Sequence, residues 1–150
     1  MNKRGGFTLL EILVVLAFIG IIATIVAITL TAFRNGQLVQ QAADQFAADL
    51  RQARADARRQ STTFTLSAAT NGTSYTIAQT TGGATTTKTV SLPIGTKFGG
   101  NMTVAFDPPH GLATQFASTD GAHTSVSGPG SRVLNVYVIG LGGKVVVRAP

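Results

Sequence analysis

Between Ile12 and Phe33 the chain runs for 22 residues without a charge. At about 1.5 Å of rise per residue, a helix of that length covers about 33 Å, enough for a hydrocarbon core of about 30 Å. Gly20 is its only residue of poor helix propensity, and it contains no proline. Nothing in it interrupts the internal backbone pairing that lipid demands. A membrane-spanning helix is therefore the expected form. Lys3 and Arg4 precede the run and Arg34 follows it, a bias of two cations against one that favours a cytoplasmic N-terminus. A secretory signal has a shorter apolar core and a small-residue cleavage site. Here Leu30-Thr31-Ala32 puts leucine where a small residue is wanted, so removal of the whole segment is a poor fit.

Glu11, the only glutamate, stands at the edge of this run. An acid bordering a membrane segment needs a compensating partner. One reading places it at headgroup level, where it favours the positive end of the helix dipole. Another uses Gly5-Gly6. A cut after Gly6 would remove Lys3 and Arg4 and leave a new α-amino group on Phe7. That amine could neutralise Glu11 within one chain or between neighbours in an assembly. The residue types alone leave both readings open.

The order Gly6-Phe7-Thr8-Leu9-Leu10-Glu11, with two cations before it and a long apolar helix after it, resembles the prepilin signal of type IV pilins and type II secretion pseudopilins. The resemblance implies that a membrane aspartyl prepilin peptidase cuts between Gly6 and Phe7 and methylates the Phe7 amine. It also implies that Glu11 sets each subunit in register by meeting the Phe7 amine of a neighbour. Major pilins of this superfamily often carry a helix-kinking proline late in the apolar run. This chain has none before Pro93, which points away from a major pilin.

Loss of six residues from a chain of 150 would leave enough, beyond the apolar helix, for one small globular domain. The formal charge of +6 would fall to +4 without Lys3 and Arg4, a balance that permits a polyanionic partner without demanding one. The chain has no cysteine. Disulfides, zinc-thiolate sites and cysteine nucleophiles are thereby excluded, and the domain must stand on its core and strand pairing.

Leu38, Val39, Ala42, Ala43, Phe46, Leu50, Ala53 and Ala57 recur at spacings of three and four, which predicts an amphipathic helix over about 37–59. Joined to the apolar run it makes one helix of about 50 residues, with Asn35-Gly36 as a local weak point or bend. Sixteen of the residues 61–91 are Ser or Thr, so β-favouring segments there must be found between turn signals. Thr63–Leu66 and Tyr75–Ile77 flank Asn71-Gly72 and read as a hairpin. Gly82-Gly83 separates Ile77 from Thr89–Leu92. The tract's β-branched and aromatic content argues against a disordered linker, except over about 80–87. Met102–Phe106 reads as a strand ended by Asp107-Pro108-Pro109. Val133–Ile139 and Lys144–Arg148 form the clearest hairpin, turning at Gly140–Gly143. The expected fold class is α+β: a long N-terminal helix whose second half covers an antiparallel sheet.

Leu50–Gln60, Phe106–Gly111 and Arg132–Arg148 resemble, more loosely, the helix end, turn and closing hairpin of H-type pseudopilins and FimT-like minor pilins. The candidate boundaries are a leader over 1–6, a membrane and filament-core helix over 7–33, an amphipathic continuation over 34–60 and a sheet domain over 61–150.

Arg51, Arg54 and Arg58 share one helical face, and Arg132, Lys144 and Arg148 lie on the closing hairpin. All six are candidate nucleic-acid contacts. The helix set lacks interleaved aromatics, which favours a solvated or ion-paired face over a polyanion stripe. Some FimT-like proteins of DNA-uptake pili carry Gly-Arg-x-Arg near the C-terminus, and Gly143-Lys144-Val145-Val146 keeps only the first cation. Asp107, His110, Asp120 and His123 match no metal-ligand spacing. There is no phosphate loop, no paired carboxylates and no Gly-x-Ser-x-Gly. Neither an enzyme nor a cofactor is expected.

The function these readings imply is a structural one. The chain would be a minor pilin or pseudopilin of a type IV pilus or type II secretion filament, held in the inner membrane with its sheet domain outside the cytoplasm. Its partners would be prepilin peptidase and other pilins or pseudopilins. A DNA-binding minor pilin of a competence pilus is the alternative.

Overall fold

The computed structural model describes residues 9–114 and 122–150. Helix α1 spans Leu9–Gln60, and nine strands follow: β1 (Thr63–Ala68), β2 (Ser74–Thr81), β3 (Ala84–Ser91), β4 (Lys97–Phe98), β5 (Met102–Asp107), β6 (Leu112–Thr114), β7 (Ala122–Ser127), β8 (Val133–Ile139) and β9 (Lys144–Arg148). The chain divides into two compact units at Arg34 and Asn35.

The first unit contains the apolar part of α1. Its described large side chains are exposed: Leu9 by 84%, Leu16 by 62%, Phe18 by 63% and Ile25 by 62%. The segment is long and apolar enough to cross a membrane. Its hydroxyls are satisfied locally. Thr24, Thr29 and Thr31 each donate to the carbonyl four residues earlier, at 2.9, 3.1 and 2.9 Å, so these polar atoms need no water.

The second unit holds the core. From α1 it takes Val39, Ala42, Ala43, Phe46, Leu50, Ala53 and Ala57 of the predicted stripe, with Ala47 in addition, while Leu38 is only half-buried. The alanines let strands approach the helix closely, while Phe46 and Leu50 fill the space between. An antiparallel five-stranded sheet runs β3-β2-β1-β5-β6, and a second, four-stranded, runs β4-β7-β8-β9. Alternation decides which face is inside. Phe64, Leu66 and Ala68 of β1 stand opposite Phe106, Val104 and Met102 of β5, while Leu134, Val136 and Val138 of β8 oppose Val126, Thr124 and Ala122 of β7.

The β8–β9 hairpin has the predicted bounds. The hairpin about Asn71-Gly72 is present as β1–β2, and β5 ends at Asp107. Two particulars differ from expectation. The sheet is two sheets, because β7, with sequence AHTSVS, joins β8 rather than β5 or β1. The tract 80–87 is ordered as the β2–β3 hairpin. Its Gly82 and Gly83 take φ of +58° and +88°, which a two-residue turn requires and glycine allows without strain. As expected, one helix runs through Asn35-Gly36, and an added Cβ at Gly36 would stand 3.3 Å from the Arg132 guanidinium.

Candidate functional site

Two surfaces collect the residues that the sequence singles out. The first is the beginning of α1. Glu11 occupies its first turn, where a carboxylate favours the helix dipole. Around it Leu9, Leu10, Ile12 and Leu13 are exposed. Gly6 and Phe7 lie outside the described residues.

The second surface is a basic cleft in the sheet-bearing unit. Arg51, Arg54 and Arg58 point from one face of α1 toward the turn that begins β9, and they line with Ala55, Gly143, Lys144 and Val145 a concavity of about 300 Å³. The guanidinium of Arg51 donates to the Val145 carbonyl at 3.4 Å. The Nε of Arg54 is buried and has no hydrogen-bond partner among the described residues. Four of the six candidate cations thus converge.

The other two do not. Arg132 donates to the side-chain carbonyl of Gln40 at 2.9 Å and packs over Gly36. Arg148 stands opposite Asn135 and lines a separate groove with Tyr137, Ile139 and Ala149. Beside that groove His123 stacks on Tyr137, with ring centroids 5.4 Å apart.

No carboxylate among the described residues pairs with the cleft. Asp44 and Asp56 accept from Gln40 and Gln52, each at 2.9 Å. Asp107 accepts from Thr63 at 2.8 Å and Thr114 at 2.7 Å. Asp49 accepts from the Tyr75 phenol. Among the described residues, an ion-paired helix face, one of the readings open from the sequence, is therefore not what α1 presents in this unit: Asp44, Asp49 and Asp56 serve neutral donors.

Sequence reasoning missed the Asp49–Tyr75 pair. Tyr75 is fully buried against Phe46 and Phe98, whose rings meet it edge-on at 4.9 and 6.0 Å. Burial, then the hydrogen bond and charge of Asp49, push its phenol well above the ordinary range, against a smaller opposing effect of Gln45. An acid on a helix and a tyrosine 26 residues later give no local signal.

An exposed apolar helix opening on an acid, followed by a sheet unit built on that helix's own second half, defines a pilin-type structural subunit. The comparisons agree. Residues 42–142 match the family model of the type II transport protein GspH, and residues 1–31 match that of the prokaryotic N-terminal methylation motif. The first match covers more than half of the chain, and the chain belongs to the GspH family. Comparison with curated proteins and with solved structures gives no match. Members of this superfamily are structural pilin or pseudopilin subunits of type II secretion or type IV filaments, anchored in a membrane or incorporated into the filament.

Proposed function

We propose that this chain is a minor pilin or pseudopilin that prepilin peptidase cuts between Gly6 and Phe7 and methylates on the Phe7 amine. The observation that carries the reading is the methylation motif over residues 1–31, which takes in Glu11 in the first turn of α1 and most of the exposed, charge-free run after it. Before assembly the apolar helix keeps the subunit in the inner membrane, with the N-terminus cytoplasmic and the sheet unit outside. In the filament, contact with other helices replaces contact with lipid. A carboxylate in that apolar bundle is costly unless paired. The Phe7 amine of a neighbour supplies the pair, so only one stagger of the helices satisfies both groups.

The domain boundaries at 6, 33 and 60 follow from the same reading: leader, filament helix, amphipathic continuation and sheet domain. Intact mass of the native protein tests the cut and the methylation together. A product that still begins at Met1 would contradict both. Glu11→Ala is expected to insert in the membrane at the natural level and to be lost from the filament fraction. Normal incorporation would contradict the register role.

The convergence of Arg51, Arg54, Arg58 and Lys144 on one cleft favours a second reading, in which the subunit contacts DNA in an uptake pilus. Binding of duplex DNA to the full chain in non-ionic detergent, measured at two salt concentrations, tests it. Phosphate contacts of this kind weaken steeply as salt rises, and absence of binding at low salt would remove the reading.

A further inference from the structure

We propose that the cleft between α1 and the β8–β9 turn is a preformed site for a single phosphate-type oxyanion, not one stretch of a diffuse basic surface. Four cations line a concavity of about 300 Å³, and each described acid of this unit is engaged elsewhere by a glutamine, threonine or tyrosine. Like charges gathered at helical spacing repel one another, and among the described residues no carboxylate offsets this cluster. The buried Arg54 Nε has no hydrogen-bond partner among the described residues, a state that costs free energy in a folded protein. An anion seated among the four head groups would lower the repulsion and supply acceptors to planar guanidinium forks suited to phosphate oxygens.

The site is also built. Gly111, in the turn between β5 and β6, lies under the Arg58 stem: an added Cβ would stand 2.8 Å from Arg58 Cγ and 2.9 Å from the Arg54 carbonyl oxygen. Gly143 does the same for Arg54, where a Cβ would stand 3.4 Å from Arg54 Cδ and 3.0 Å from a Phe106 ring carbon. Two turn glycines thus seat two arginine stems against the sheet. Ordering these side chains before the ligand arrives lowers the entropy lost on binding. Arg132 and Arg148, on other surfaces, take no part. The inference does not depend on assembly or on the Gly6–Phe7 cut.

The test uses the full chain in non-ionic detergent, titrated with inorganic phosphate at constant ionic strength. Shifts of the arginine Nε–H resonances are followed, and the melting temperature is measured in parallel. Saturable shifts that include Arg54 are expected. Arg58→Gln and Lys144→Gln, both at exposed positions, should weaken phosphate binding about ten-fold each. Arg148→Gln, which removes the same charge elsewhere, should change it less than about two-fold. Shifts that never saturate, or equal weakening by Arg148→Gln, would overturn the site. A duplex DNA without terminal phosphates is then added as competitor. Displacement of phosphate would identify the group as one carried on a nucleic-acid backbone, and persistence of phosphate binding would identify a free phosphate or a phosphorylated small molecule. Either result supports the oxyanion site.

Discussion

The phenol of Tyr75 on β2 donates a hydrogen bond to the carboxylate of Asp49 on α1, and so ties the helix to the five-stranded sheet through the one polar group of an aromatic trio. Phe46, Tyr75 and Phe98 meet in edge-to-face contacts at 4.9, 5.0 and 6.0 Å, the arrangement that ring quadrupoles favour. Tyr75→Phe keeps the packing and deletes the bond. It should lower stability by about 1 to 3 kcal/mol, as hydrogen bonds to charged groups do. Chemical denaturation of the full chain in detergent measures this, and an unchanged midpoint would show that Asp49 finds water as good a partner.

The same pair predicts a loss of stability in base. The fold holds the Tyr75 phenol above its ordinary value of 10.0, so the folded state favours the neutral form. A group raised in this way contributes fully below the unfolded value. Its contribution fades as pH climbs from about 10 toward the folded value. The midpoint of the natural protein should therefore fall above about pH 10, and Tyr75→Phe should show a flatter decline. Parallel slopes for the two proteins would contradict the assignment.

Gly128 allows the end of β7 to approach α1. A Cβ there would stand 2.7 Å from Val39 Cγ2, and Val39 is buried with a stiff branched side chain. Gly128→Ala should cost about 1 to 3 kcal/mol through overpacking. Pairing it with Val39→Ala should restore part of the loss, because the clashing methyl is gone. A thermal melt of the single and double variants checks the coupling.

Asp107 closes the end of β5 by accepting from Thr63 of β1 and Thr114 of β6. Asp107→Ala leaves two half-buried hydroxyls without that acceptor and should destabilise the fold by about 1 to 3 kcal/mol. Asp107→Asn keeps one acceptor and should cost less. Equal effects of the two variants would mean that the bonds matter less than the turn that follows.

Much of this fold was legible because local chemistry and tertiary pairing agree. The β8–β9 hairpin announces itself by alternation in VLNVYVI and by a glycine-rich turn. The buried stripe of α1 follows directly from spacing. β4, with two residues, and β7, with sequence AHTSVS, carry almost no apolar alternation. Their identity as strands comes from β8 and from the Phe98–Val126 pairing, which no local window contains. The cleft was legible by half. Helical spacing placed Arg51, Arg54 and Arg58 together, and Gly143-Lys144 marked the turn. What separates Lys144 from Arg148 is distance along β9, about 13 Å for four strand residues, and what removes Arg132 is its contact with Gln40. The second depends on how the hairpin lies on the helix, which spacing alone does not encode.

The threonine ribbon of β2 and β3 has a practical consequence. From Thr80 to Thr89 every residue is open to solvent, and a Cβ added at Gly82 or Gly83 would meet no atom within 4 Å. A short epitope or a fluorophore attached there would meet no core side chain and no cation of the cleft. The ribbon tip is thus a handle by which single subunits could be counted and followed in living cells.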